Sequence, residues 1–334
     1  MATGKHGRPR PATRADVARL ARTSTAVVSY VVNNGPRPVS ADARARVLQA
    51  IEELDYRPNG MARALRSQRT RTLGLVLPNA NNAYFREFSI ALEAAALERG
   101  YAILVMHLTD DDDRDRRYLG VLLEHGIDGL LAMVEPNNPH ADLLLSANCT
   151  VNLTDSADRD ISNDPASYAA TKHLLDHHHR TVAYLSGPLS LTLARERKRG
   201  WERALDDHGV AADGRVTVDA DFTREAGHRA AHELLANHPT AVLAFNDEQA
   251  IGVLRAAADL GLRVPEDVSV FGFDDTRDAR YTVPSISTVR TPLDLVANRA
   301  LDRLLGSDNR PRPSPLPFEL VLRRSCGCPE PGSV

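Results

Sequence analysis

Cysteine is almost absent: Cys149, Cys326 and Cys328 are the only three in 334 residues. That is too few for a disulfide framework, and it fits a reducing compartment. No run of 18 apolar residues occurs, so no membrane-spanning helix is expected. The opening MATGKHGRPRPATRADVARL has basic residues but no apolar stretch behind them, so a secretory signal is not expected and the cytoplasm is. GxGxxG, P-loop and GxSxG patterns are also missing. Nothing else resembles a nucleophile or cofactor signature, so we expect no enzyme, no cofactor and no bound metal.

What is present is a divided charge. Residues 1–71 hold 14 Lys or Arg against five acids, a balance of +9 that leaves −12 for the rest. A basic head on an acidic body suggests a polyanion partner.

The head reads as short helices. Thr13 is placed to cap RADVARLA, Ser24 to cap TAVVSYVVN, and Ser40 to cap ADARARVLQAIEELDY. In the second helix Val28, Val31 and Val32 form an inward stripe, while Thr25, Ala26, Ser29 and Tyr30 face out. Three short helices, the first two tightly joined, predict a helix-turn-helix whose second helix enters a major groove. The stretch RPNGMARALRSQRT (57–70) then has four arginines, no acid and one large aliphatic residue, Leu65. A helix this short is marginal alone.

Beyond Thr72 apolar runs alternate with helical patterns: LGLVLP, YAILVMH, IDGLLAMV, TVAYLSG, VTVD, AVLAFND and VSVFGFDD are the strands. Such units predict parallel sheets with helices on both faces, and their number predicts two doubly wound α/β lobes. We place the division near SNDP (162–165), with ISTVRTPLDLVANRALDRLL (286–305) crossing back to the first lobe. The expected domains are a helix-turn-helix over 12–57 and a hinge helix over 58–71. Lobe 1 is 72–162 with 288–318, and lobe 2 is 163–287 with 319–329. Ligands of open sheets bind beyond the carboxyl ends of the strands, here in the cleft between lobes. Asn246, Asp247 and Asp274 lie at two such ends, Tyr84 and Phe85 follow the first strand, and Arg197 starts a helix facing the division.

From residue 12 onward the chain resembles the lactose-repressor (LacI/GalR) family of bacterial transcription regulators. The likeness lies in TRADVARLARTSTAVVSYVVNN, VSADARARVLQAIEELDYRPNGMARALRSQRTRTLGLVLP, NNAYF, GIDGLLAM, RERKRGW, FND, GFDD and RRSCGC. It implies a repressor that binds palindromic operator DNA as a homodimer. Its core would be like a periplasmic sugar-binding protein and sense a small molecule, a sugar or related metabolite. Carried over by motif, the DNA contacts are Thr13, Ser24, Thr25, Ala26, Ser29, Tyr30, Asn33, Tyr56, Asn59, Ala62 and Leu65. The effector contacts are Tyr84, Phe85, Arg197, Phe222, Asn246, Asp247 and Asp274. The hinge would fold when two copies pair on DNA, with Asn59 as its N-cap and Leu65 wedged into the minor groove. Arg63, Arg66 and Arg69 are available for phosphates. Two positions depart from the family: Arg22 stands where the turn usually has glycine, and Tyr30 where arginine often reads guanine. No heptad-like extension follows, which favours a dimer over a tethered tetramer.

The competing reading is a solute-binding protein of a transporter; a Rossmann-type sugar enzyme is a third. The basic head and the missing leader and glycine fingerprint weigh against them. His177, His178 and His179 are consecutive and read as solvated. Asp110–Asp113 lacks calcium-loop spacing, and the CGC pair has no second pair for zinc.

Overall fold

The computed structural model describes residues 10, 12–33, 35, 37–57, 68–78, 81–109, 111–134, 138–146, 150–152, 163–211, 215–306 and 315–328. The chain divides into two compact units, Met1–Thr70 and Arg71–Val334. Asn59, Ala62 and Leu65 of the expected hinge lie outside the described residues.

In the first unit α1 (Arg14–Leu20), α2 (Thr25–Asn33) and α3 (Ala41–Glu53) surround Val17, Val28, Val31, Val47 and Ala50. The caps are where the sequence places them. Thr13 and Asp16 form a reciprocal capping box, and Ser40 accepts from the Ala43 N–H at 3.3 Å. The turn between α1 and α2 is closed by the Thr23 N–H donating to the Ala18 carbonyl at 2.9 Å. That closure puts Arg22 in the left-handed region, φ +49°. Glycine enters this region without the steric cost that a Cβ meets, and that cost is roughly 1–2 kcal/mol. Glycine's extra unfolded-state freedom offsets part of the gain. Arg22→Gly should therefore raise head stability by about 0.5–1 kcal/mol, read as a higher urea midpoint. An unchanged or lower midpoint would contradict the turn geometry.

The second unit contains two parallel sheets. In the first, β1 (Thr72–Leu77), β2 (Ala102–His107), β3 (Gly129–Ala132) and β4 (Thr150–Asn152) run in the order β2-β1-β3-β4. Leu75 sits opposite both Val105 and Leu131. Alternate side chains feed opposite faces. Leu73, Leu75 and Leu77 meet Phe88 and Leu92 of α4 (Ala83–Glu98). Val76 and Leu130 meet Leu119 and Leu122 of α5 (Asp112–Glu124), and Leu144 of α6 (Ala141–Ser146) closes that side. Asp111, in the acidic run that lacks calcium-loop spacing, caps α5 by accepting from the Arg114 N–H.

The second sheet has the order β6-β5-β7-β8, from β5 (Val182–Ser186), β6 (Thr217–Asp219), β7 (Ala241–Ala244) and β8 (Ser269–Phe271). One face packs α7 (Asn163–Asp176) and α8 (Thr192–Asp207) around Tyr184, Trp201 and Phe271. The other packs α9 (Arg224–Leu235) and α10 (Asp247–Asp259) around Leu185, Val242 and Val270. The one-turn α11 (Arg277–Arg280) follows β8.

Two segments then join the sheets. β9 (Thr288–Arg290) pairs antiparallel with β10 (Glu319–Val321), and Val289 belongs to the second sheet's core. After Pro292, α12 (Leu293–Leu304) returns to the first sheet, where Ala297, Leu301 and Leu304 join Leu73 and Leu131. The crossing expected of 286–305 thus falls between β9 and α12. The AVLAFND run ends as a strand at Ala244, because Asn246 accepts from the Gln249 N–H at 2.8 Å and starts α10. No helix among the described residues is long and apolar enough to cross a membrane.

Candidate nucleic-acid interface and effector cleft

On α2 the residues expected at DNA separate by exposure. Ser24, Thr25, Ala26 and Asn33 are exposed, while Ser29 and Tyr30 are half-buried. Ser24 spends one lone pair on its cap, accepting from the Val27 N–H at 3.3 Å. The Asn33 amide donates back to the Ser29 carbonyl at 2.9 Å, which fixes both side chains at the end of the helix. Tyr30 is held against the following turn: a Cβ added at Gly35 would lie 2.5 Å from its Cδ1. Gly35 is therefore the residue that lets the ring lie where it does. Tyr56 does not join this row; it is 8% exposed and packs in the head's core. Thr13 is occupied by its capping box, so its contribution is to fix the start of α1. Arg22, Arg37 and Arg44 are exposed around these helices, supplying the positive charge that phosphates need.

In the second unit the expected cleft residues converge on Arg197 of α8. Its guanidinium is buried, 7% exposed, with Phe273 on one ring-face contact at 3.5 Å and Phe245 on another at 4.5 Å. Nε donates to Asn163 Oδ1 at 3.0 Å and Nη1 to the Phe245 carbonyl. Nη2 stands 3.6 Å from Asp274 Oδ1. That is longer than a charge-assisted hydrogen bond of about 2.7–2.9 Å, so the pair can still share a hydroxyl. Asp274 is held at φ +114°, a strained position for a residue with a Cβ, and such strain gathers at functional sites. Burial pushes its carboxyl up to about 7; Arg197 opposes the rise, and Glu248 and Glu87 add to it. Tyr84, in the first turn of α4, has its phenol pushed up by burial and by the Asp274 charge, so it shares this neighbourhood. Phe85 meets Tyr84 edge-on at 5.6 Å, and Phe222 lies 6.0 Å from Phe245.

Asn246 and Asp247 have structural tasks. Asn246 caps α10 and donates to the Phe222 carbonyl at 3.1 Å, tying that aromatic to the strand end. Asp247 is fully buried and accepts from the Thr276 N–H at 2.7 Å, the Thr276 hydroxyl at 3.0 Å and the Thr288 hydroxyl at 2.6 Å. Burial and the Asp274 charge push its carboxyl up against those three donors. Its oxygen occupies the space a side chain at Gly272 would need, only 2.3 Å from the ideal Cβ. This is a physical reason for the glycine of GFDD.

Several residues that the sequence reading did not single out complete the site. Asn163 orients Arg197. Glu248, next to Asp247, accepts from the Ala83 N–H at 3.3 Å, so α10 of the second lobe holds the start of the helix carrying Tyr84. Arg224 binds both Glu248 and Asp278, and Arg86 of α4 approaches Asp278 at 3.6 Å. Asp275 collects Arg290 at 2.6 Å, Arg280 at 3.1 Å and Arg323, which accounts for the arginine of the C-terminal motif. Burial pushes the Asp275 carboxyl up, but the Arg323 and Arg290 hydrogen bonds hold it below the usual range. The only sequence signal for Glu248 is its place in FNDE, one residue past the strand-end pair.

His177 and His178 are exposed, as expected of solvated histidines, but the CGC pair has neighbours that its spacing does not show. Cys328 Sγ lies 3.6 Å from His173 Nε2 and 3.5 Å from His177 Nε2, a set able to hold a metal. His173 is in the last turn of α7 and His177 directly follows its end, four residues on, so the pair is not among the consecutive histidines.

Comparison with known proteins agrees with this geometry. A model of bacterial regulatory proteins, lacI family, matches residues 13–59, and one of the periplasmic binding protein-like domain matches 171–326. The HTH-type transcriptional repressor PurR of Vibrio vulnificus (strain CMCP6) is 32% identical, over 93% of this chain and 98% of that protein. The ribose operon repressor of Haemophilus influenzae is 33% identical, over 94% of this chain and 97% of its own. The lac repressor dimer bound to operator and the anti-inducer ONPF superposes with a TM-score of 0.80 at 27% identity, covering 95% of this chain and 99% of that one. The CelR–cellobiose complex gives 0.69 at 28%, covering 94% and 99%. These likenesses run through the head as well as the core, which does not favour the solute-binding reading. The chain is a DNA-binding transcriptional repressor under small-molecule control, and it belongs to the lacI family of bacterial regulatory proteins.

Proposed function

We propose that two copies of the chain bind operator DNA through the exposed face of α2, and that a sugar or related polyol held by Arg197 and Asp274 changes that affinity. Tyr84, Phe85 and Phe222 form apolar walls, while Asn246 and Asp247 fix the strand ends on which the polar pair stands. The wedge role of Leu65, capped by Asn59 with Ala62 beside it, belongs to the same proposal, as do a homodimer, a cytoplasmic setting and the absence of catalysis. The observation that carries the reading is the buried Arg197–Asp274 pair. It offers donors and an acceptor 3.6 Å apart among phenylalanine faces, an arrangement suited to adjacent hydroxyls on an apolar ring. Named relatives and neighbours point the same way, one regulating a ribose operon and another complexed with cellobiose. The dimer is supported by the similarity to the lac repressor dimer bound to operator. Exposed Leu104, Val105, Tyr118 and Val121 around edge strand β2 also support it.

Titration of the site provides a test. A carboxyl whose folded-state value is raised from 3.8 to about 7 favours the protonated form in the folded protein. Its contribution to stability is present at low pH and is lost as pH rises between those values. Ligand binding has the opposite sign, because a sugar hydroxyl needs the ionised acceptor. Sugar affinity measured by calorimetry should rise roughly tenfold from about pH 6 to about pH 8, following the ionised fraction. Asp274→Asn should flatten that rise. A pH-independent affinity in the unaltered protein would remove Asp274 from the binding site.

A further inference from the structure

We propose that His173, His177 and Cys328 form a zinc site that fastens the C-terminal turn to α7, a role outside the effector cleft. Three donors of the right softness converge there, and they come from segments more than 150 residues apart, at separations |i−j| of 155 and 151. Zinc–sulfur bonds of about 2.3 Å and zinc–nitrogen bonds of about 2.0–2.1 Å at tetrahedral angles place sulfur and nitrogen about 3.5–3.6 Å apart. The two observed separations are 3.6 and 3.5 Å. All three ligand atoms lie within 4.8 Å of one another. The single thiol proton can serve only one of the two imidazoles, the other meeting the sulfur as a weak acceptor, whereas a metal held by all three would engage each lone pair in full.

The surrounding bonds set the histidines for ligation. His177 Nδ1 lies 2.8 Å from the His173 carbonyl. That oxygen only accepts, so Nδ1 carries the proton and Nε2 presents its lone pair to the sulfur. The rings of His173 and His177 are 4.3 Å apart between centroids, and His173 rests on Phe271 at 5.8 Å. Cys326 does not belong to the three-ligand group; its sulfur accepts from the Ser287 hydroxyl at 3.0 Å. A fourth position would be filled by water, which the exposure of neighbouring His177 and Gly327 allows. Donors of two imidazole nitrogens and one thiolate favour zinc over magnesium or calcium, which require oxygen. Binding releases the Cys328 thiol proton to solvent, with no oxidant or reductant needed.

A second group, His228, His232 and Asp259, is the weaker candidate. Its carboxylate already pairs with His228 at 2.7 Å and with Arg255 at 2.9 Å, and a cation beside it opposes a second one. It also supplies the control.

The test uses the tag-free full-length chain, stripped by chelator and dialysed against Zn2+, with metal content measured by mass spectrometry. The unaltered protein should retain one zinc per chain and gain thermal stability with added Zn2+. His177→Gln, at an exposed position that folding tolerates, and Cys328→Ser should each weaken zinc by more than the roughly 10–100-fold that outer-shell changes cost. His228→Gln and Cys326→Ser should keep it. Cobalt(II) in place of zinc should give a thiolate charge-transfer absorption that Cys328→Ser abolishes. Zinc retained by the His177→Gln, Cys328→Ser double variant would overturn the proposal. So would zinc lost only with His228→Gln, or no retention by the unaltered chain.

Discussion

Raising monovalent salt from 50 to 200 mM should weaken binding to the operator by about 10³–10⁵-fold. The expectation comes from roughly 6–10 phosphate contacts per dimer, each releasing counterions when a lysine or arginine replaces them. The charge distribution makes this specific to the head: residues 1–71 carry +9 and the remainder −12. In the head, Arg22, Arg37 and Arg44 are exposed, and Arg19 and Arg46 pair with Asp16 and Asp42. Neutralising one exposed arginine that meets a phosphate should lower the slope of log affinity against log salt by about 1 while leaving base preference alone. Fluorescence anisotropy over a salt series measures both. A flat response would mean the acidic core, not the head, dominates the encounter with DNA.

The second large effect belongs to the cleft. Asp274→Asn keeps the side chain's size and shape, and Arg197→Lys keeps its charge while losing the planar fork; each breaks the geometry that a ligand hydroxyl would share. Hydrogen bonds to charged groups contribute about 1.5–3 kcal/mol. The effector concentration for half-response should therefore rise roughly 10–150-fold in each variant. Operator affinity without effector should stay as it was, since a ligand shifts an equilibrium only through its preference for one state. Arg197→Ala is a harsher change, because removing one member of a buried pair costs about 3–5 kcal/mol. Its melting temperature must be followed beside its response. Variants that stay folded and respond at the original midpoint would remove this pair from the effector site.

Much of the fold was legible because local and long-range signals agreed. Thr13, Ser24 and Ser40 cap where hydroxyls precede an apolar stripe, and the stretch TAVVSYVVN is α2 from end to end. The strands were readable as short apolar runs bounded by turn residues. The three-residue β4 and one-turn α11 were not, since elements so short are fixed by neighbours rather than by periodicity. In the site, strand-end position found Asp274 but could not separate it from Asp247, whose oxygens are consumed by Thr276 and Thr288. Burial with satisfied partners is a tertiary property. The same holds for Glu248 on the α4 backbone and for Cys328 beside His173 of α7 and His177 just past its end. Arg22 illustrates the reverse case: its departure from glycine was visible, but its left-handed backbone was visible only in the turn.

We propose that one chain couples a sugar-sized ligand to sequence-specific DNA binding. The most direct measurement is anisotropy of the full-length protein with a duplex from the region upstream of its own coding sequence, against an unrelated duplex of equal length. It is repeated with a panel of pentoses, hexoses, disaccharides and nucleosides at physiological salt. We expect a preference of about 10³-fold or more for the upstream duplex, changed at least tenfold by one member of the panel, with Asp274→Asn needing roughly 10–150-fold more of that member for the same change. Equal affinity for both duplexes across the whole panel would contradict it.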